Sequence, residues 1–311
     1  MTTGAPVSLP GACGGRLSWS QVQDLIPHTR YGCARKWAFQ KVARLPFVAS
    51  PAMAEGSAFD DGVSAALAPR LVREAAPSAP LDMIGGLEAI TARLRREARE
   101  HRDWAADWPE AAYAHLSDAL GLYARELAAV DVALTQVKLE AIVDGVPILG
   151  YADRVDRMED GSLRLVDLKH SGSPKWKGDG ADVVWEADWV ADVQAQLALY
   201  AACFQALQPD AWPLPIAARV EVVVSSRARK MPLVRALDLS LTDEHLGWVR
   251  ARLRDAAATA WGGVYAPRPG VACTFCSYRP VCADVLAMTT EPFERSWQEF
   301  VQTGGLNGAR R

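Results

Sequence analysis

Nowhere in its 311 residues does the chain come near the run of about 18 apolar residues that a membrane-spanning helix needs. The N-terminus likewise lacks the basic segment and apolar stretch of a secretory signal. A cytoplasmic protein without membrane attachment is therefore expected. An excess of positive charge is also missing. The formal net charge is −3, so any grip on a phosphate backbone has to come from local patches or bound cations. No internal repeat and no long low-complexity tract is present, which excludes a solenoid and extensive disorder. Histidine is scarce, and its five copies are scattered. Six cysteines remain, and in a cytoplasmic chain these point to buried thiols, metal ligation or redox chemistry rather than structural disulfides.

Patterning divides the chain into unlike regions. Residues 1–15 and 304–311 are Gly-rich and lack apolar periodicity, as tails do. Residues 16–53 open on a helix from Ser18 towards Phe39, with Ser18 or Ser20 as N-cap and Val22, Leu25 and Ile26 at helical spacing, running into Cys33. Residues 54–135 are helical almost throughout, with Leu87, Ile90 and Leu94, then Leu116, Leu120, Tyr123 and Leu127, on apolar stripes. They read as a helical insertion broken by Pro-rich residues 75–80 and again at 104–109. From Val137 the pattern becomes β. Three strands are separated by Asp144-Gly145 and Asp160-Gly161, both strong hairpin signals. A Gly/Lys/Trp-rich loop over 170–188, a helix over 189–206, a buried strand over 219–225 and a helix over 241–260 complete a core spanning 136–265. Residues 266–303 hold a Pro/Gly linker and a cysteine cluster. The expected class is α/β, a mixed central sheet flanked by helices.

In Leu165-Val166-Asp167-Leu168-Lys169, strand alternation sets Asp167 and Lys169 on one face. Asp153 lies in the preceding strand, and pairing across the Asp160-Gly161 hairpin would bring its carboxylate towards Asp167. Two carboxylates at a strand end suit a hard divalent ion such as Mg²⁺, which takes oxygen ligands and keeps several waters. Lys169 would then orient or activate the attacking water. The alternative is a pair of hairpin-edge charges matched with Arg154 and Lys169. Further along, Cys273-Thr274-Phe275-Cys276, with Cys282 after five more residues and Cys33 far upstream, offers four thiols. Four thiolates suit a [4Fe–4S] cluster or tetrahedral zinc equally. Cys203, mid-helix, reads as a core thiol, and Cys13 is a reserve ligand only.

The run Gly150-Tyr151-Ala152-Asp153-Arg154-Val155-Asp156, followed by Asp167-Leu168-Lys169, resembles the G-x-x-D-R-[IV]-D and D-x-K motifs of RecB-type nucleases in the PD-(D/E)XK superfamily. Gln196 to Tyr200 is similar to the Q-x-x-x-Y motif that follows them there. The cysteine spacing resembles that of the family's iron–sulfur members, the CRISPR-associated RecB-like exonucleases and AddAB-type nuclease domains. The resemblance implies a restriction-endonuclease-like core and a DNA exonuclease working in recombination, repair or CRISPR and phage DNA processing. It further implies Mg²⁺ or Mn²⁺ held by Asp60, Asp153 and Asp167, with Lys169 assisting the attack of water and Gln196 and Tyr200 reaching the site. By the same resemblance Cys33, Cys273, Cys276 and Cys282 hold a structural [4Fe–4S] cluster. One departure stands out: the family's G-x-x-x-H is here Gly56-Ser57-Ala58-Phe59-Asp60, so Asp60 takes the place of the histidine. Single-stranded DNA or DNA with single-stranded ends, and a recombination or CRISPR-adaptation protein, are the implied partners.

Lys175, Trp176 and Lys177, with Arg227, Arg229 and Lys230, combine charge with loop character, and Trp176 would stack on a base. His170, next to Lys169, is the histidine best placed to touch substrate, and Glu140 either supports the site or pairs with a lysine. A rival reading keeps the fold and cluster in a non-catalytic DNA-binding or scaffold subunit that lost its metal together with the histidine.

Overall fold

A five-stranded sheet forms the centre of the computed structural model, which describes residues 14–26, 32–71, 79–179 and 182–285. Strands β1 (Asp131–Val143), β2 (Val146–Arg157) and β3 (Leu163–Ser171) follow one another as antiparallel hairpins. Asp144 and Gly145 both take positive φ, 51° and 79°, as a two-residue turn of matching twist requires. Helix α6 (Ala187–Leu207) then carries the chain to β6 (Ile216–Val224), which pairs parallel with β3. Strand β7 (Leu233–Leu241) adds antiparallel to β6 and completes the order β1-β2-β3-β6-β7. The sheet is mixed and the class α/β. Central β6 is apolar on successive residues because both of its faces are covered.

Alternation along β6 separates two cores. Val220, Val222 and Val224 join a cluster with Trp37, Leu197, Cys203 and Leu253, whereas Val223 joins Phe59, Ile90, Leu116 and Tyr123 on the other face. One layer therefore consists of α1 (Trp19–Leu25), α2 (Ala34–Lys41), α6 and α7 (Asp243–Gly262). The other consists of α3 (Pro51–Leu67), α4 (Met83–Glu100) and α5 (Trp108–Glu126), packed directly on the sheet. Helix α3 is started by Pro51 and by Ser50, whose side chain accepts from Met53 N.

The structure departs from the sequence pattern in three places. The helix expected from Ser18 to Phe39 is two short ones, α1 and α2, with Cys33 at the N-cap of the second. The loop over 170–188 contains a small hairpin of β4 (Trp176–Lys177) and β5 (Val184–Trp185). Strand β7 had no counterpart in the expected elements, because as an edge strand it carries Arg235, Asp238 and Ser240 among its leucines and so has no continuous apolar run. Cys13, the C-terminal tail and most of Pro-rich 75–80 lie outside the described residues. No helix among the described residues is long and apolar enough to cross a membrane.

Candidate active site

Strands β2 and β3 pair only over Arg154–Arg157 against Leu163–Val166, while β3 stays paired with β6 through Ser171. The sheet splits at Asp153 and Asp167. Beyond the split the Leu168 N–H would be left without a strand partner, and the Asp153 carboxylate accepts it at 2.8 Å through Oδ2. Asp167 is 1% exposed, and Lys169 Nζ donates to its Oδ1 at 3.0 Å. Lys169 also donates to Gln196 Oε1 at 3.1 Å, and Gln196 Nε2 donates to the Tyr200 hydroxyl at 3.1 Å. One turn of α6 separates Gln196 from Tyr200, so both point at the cleft. The structure thus brings Asp153, Asp167, Lys169, Gln196 and Tyr200 together.

Asp60 arrives from α3 in the opposite layer, with both carboxylate oxygens accepting from Gln136 Nε2 at 3.0 Å. Burial, with Asp61 next to it, pushes the Asp60 carboxyl up to about 6. Asp153 is raised further, to about 8, by burial and then by the Asp167 charge, and Asp167 is raised by burial. For Lys169 burial acts downwards, but Asp167 and Asp153 outweigh it and hold the ammonium above its ordinary range. It is therefore protonated at neutral pH.

A divalent cation fits this set. Asp167 Oδ2 is buried and receives no hydrogen bond, although Lys169 Nζ lies 3.0 Å away, and the raised carboxyls mark negative charge that the single lysine does not balance. The three carboxylates are not drawn into one tight knot. Among the described residues only Glu97, Glu100 and His101 have ligand atoms all within 4.8 Å.

Neighbouring motif residues serve the fold instead. Arg154 alternates to the face away from Asp153, 3% exposed, where it donates to Asp156 at 2.6 Å and to Glu221 at 2.9 Å and also bonds the Tyr123 hydroxyl. This network ties β2 to β6 and α5. The sequence signal for Glu221 was a lone carboxylate inside a largely apolar strand. Gly150 faces Tyr200 closely and lets α6 approach the sheet.

Two expectations are corrected, and of the two readings of Glu140 the pairing with a lysine is the one seen. Trp176 is 7% exposed, packed against Trp185 with Arg235 over its ring at 5.5 Å, so it buttresses the β4–β5 hairpin and has no free face for a base. His170 lies on the other face from Lys169, bonded to Ser225 Oγ at 2.8 Å and held down to about 4 by burial and His115. Strand alternation turns it away from the cleft. Glu140 is exposed and pairs with Arg16 and Lys138, remote from the aspartates in its contacts. Of the remaining cationic positions, Lys177 and Lys230 are exposed, Lys175 and Arg229 are half-buried, and Arg227 pairs with Asp107 at 2.7 Å.

Cys33, Cys273, Cys276 and Cys282 line one cavity of about 200 Å³, together with Lys36, Phe39 and Arg268. The Arg268 N–H donates to Cys33 Sγ at 3.5 Å. Burial raises the Cys276 and Cys282 thiols, and neighbouring cysteines add to the effect. No three of these sulfurs lie within 4.8 Å of one another among the described residues, whereas four thiolates on one zinc at 2.3 Å would stand about 3.8 Å apart. Cys203 is buried in α6 and raised to about 12, an inert core thiol.

A family model described as the PD-(D/E)XK nuclease superfamily matches residues 17–283. The chain belongs to the PD-(D/E)XK nuclease superfamily. Its fold is similar to the crystal structure of a candidate exonuclease from Eubacterium rectale, with a TM-score of 0.53 at 14% identity, covering 86% of this chain and 87% of that one. A second crystal structure, of SSO0001, aligns with a TM-score of 0.34 at 21% identity over 62% of this chain and 81% of that one, too weak a likeness to bear on the fold. No curated protein matches the chain significantly. In this member of the PD-(D/E)XK nuclease superfamily, Asp153, Asp167, Lys169, Gln196 and Tyr200 meet where β2 leaves β3.

Proposed function

We propose that the chain is a RecB-type deoxyribonuclease, an exonuclease that hydrolyses phosphodiester bonds with Mg²⁺ or Mn²⁺ bound by Asp60, Asp153 and Asp167. The observation carrying this reading is the buried Asp153–Asp167 pair, both carboxyls raised by burial, with Asp167 Oδ2 receiving no hydrogen bond although the Lys169 ammonium lies 3.0 Å away. A bound divalent ion would supply Lewis acidity and lower the pKa of an attacking water. Lys169 contributes fixed positive charge against the charge that builds on the phosphoryl oxygens as water adds and the P–O ester bond breaks. Gln196 holds the Lys169 ammonium through its amide oxygen, and Tyr200, kept neutral by burial and then by the Asp167 charge, accepts from the Gln196 amide.

Cys33, Cys273, Cys276 and Cys282 hold a [4Fe–4S] cluster in the same reading. What supports this reading is that the four cysteines, from distant parts of the chain, line one cavity, and a cubane takes one thiolate per iron. Its role is a clamp joining α2 to the C-terminal segment, which closes a loop of most of the chain. A cytoplasmic setting, DNA with single-stranded ends, and work in recombination, repair or CRISPR and phage DNA processing alongside a protein partner belong to this proposal.

The test is cleavage of end-labelled single- and double-stranded DNA by anaerobically purified protein with Mg²⁺ or Mn²⁺. Asp153→Asn and Asp167→Asn should abolish cleavage while leaving the protein folded, Asp60→Ala should impair it severely, and Asp61→Ala, whose carboxylate pairs with Arg93, should do little. Lys169→Ala should slow the chemical step by about 10²–10³-fold with metal binding retained. An unmodified protein inert with every divalent ion would favour the scaffold reading.

A further inference from the structure

Three non-glycine residues among those described have positive φ: Arg44 at 53°, Gln136 at 47° and Asp144 at 51°. Asp144 belongs to the turn between β1 and β2, and Arg44 lies just past the end of α2, both places where a left-handed residue serves the backbone. Gln136 alone lies inside a strand. A left-handed conformation is strained for a non-glycine residue, and glycine would adopt it more cheaply. Strain of this kind persists where the side chain is needed.

The position of the strain is informative. The β1–β2 ladder runs through Thr135↔Arg154 and Val137↔Ala152 and omits the pair that would join Gln136 to Asp153. Gln136 therefore stands across from one carboxylate of the cleft, and its Nε2 donates to both oxygens of another, Asp60. We propose that Gln136 is a positioning residue for the metal site, its left-handed backbone aiming the amide so that Asp60 is held at the mouth of the split sheet. An amide suits the task because it donates hydrogen bonds without bringing a positive charge, so Asp60 keeps the negative charge a cation requires. This inference rests on the nuclease reading.

The test measures Mn²⁺ binding to the full chain without DNA, by titration calorimetry and by the Mn²⁺ electron paramagnetic resonance signal, alongside thermal melting. Gln136→Gly relieves the backbone and removes the amide. It should melt at the same or a higher temperature, yet bind Mn²⁺ about 10–100-fold more weakly, as loss of a group that orients a ligand does. Gln136→Met keeps the length of the side chain without its donor and should show the same loss, which covers the case of Gln136→Gly folding poorly. Unchanged or tighter Mn²⁺ binding in these variants would overturn the proposal, the tighter case meaning that the amide competes with the cation for Asp60. An unmodified chain that binds no Mn²⁺ would overturn the nuclease reading and this one with it.

Discussion

Gly150 lies against the ring of Tyr200 so closely that a Cβ built on it would stand 2.8 Å from Tyr200 Cε1. The glycine in β2 thus fixes how near α6 comes to the sheet, and with it where Tyr200 and its partner Gln196 stand relative to Lys169. Gly150→Ala should push the ring away, lower stability by about 1–3 kcal/mol as overpacking does, and reduce cleavage. Tyr200→Ala added to Gly150→Ala should recover part of the stability, since the extra methyl group then has room. Denaturant melts of the two single variants and the double variant check this, and additive losses would mean that the contact is not the cause.

Stability of the metal-free protein should depend on pH through Asp153. Its folded carboxyl is raised from 3.8 to about 8 by burial and then by Asp167, so between these values the folded state binds the proton more tightly than the unfolded chain. This contribution is full below about pH 4 and is lost as pH rises through about 8. Asp153→Asn should flatten that fall, and saturating Mg²⁺ should also oppose it by binding the ionised form. Melting temperatures of both proteins across this pH window, with and without Mg²⁺, check the sign. A parallel slope in the variant would assign the pH dependence to other groups.

Arg154, adjacent to Asp153 in the motif, should act on folding rather than on chemistry. Arg154→Met would leave Glu221 with uncompensated buried charge and Asp156 with Arg164 as its remaining partner, and cost about 3–5 kcal/mol. Replacing the three together with apolar residues of similar volume should cost much less. Equilibrium unfolding measures both, and an Arg154→Met variant of ordinary stability would show that the network is not held as an ionic unit.

Anaerobic protein should be brown and carry about four irons and four sulfides per chain. Cys276→Ser should lower the melting temperature more than Cys203→Ser, because Cys276 lines the shared cavity and Cys203 packs inside α6. Stoichiometric zinc in place of iron in protein kept from air, or equal effects of the two substitutions, would count against the cluster.

Features that depend on short-range periodicity were legible in the chain itself. Alternation within β3 places Asp167 and Lys169 on one face, helical spacing turns Gln196 and Tyr200 the same way, and the Asp144-Gly145 step makes its turn as such a pair must. The same local rules failed where an element is short or half-solvated: α1 and α2 read as one helix, and β7 lacked an apolar run.

What the tertiary structure decided was the company each residue keeps across long stretches of chain. Asp153 and Arg154 are consecutive in the motif, yet only the packing of α5 and β6 shows that one belongs to the cleft and the other to a buried ion network. Trp176 looked like an exposed stacking residue until Trp185 and Arg235 closed over it. Asp60 and Gln136 carry no shared sequence signal, and α3 meets β1 only because both layers close on the same sheet. Periodicity is local and can be read from neighbours in sequence, whereas burial and pairing depend on which distant surfaces meet, and that is set by the packing of the whole chain.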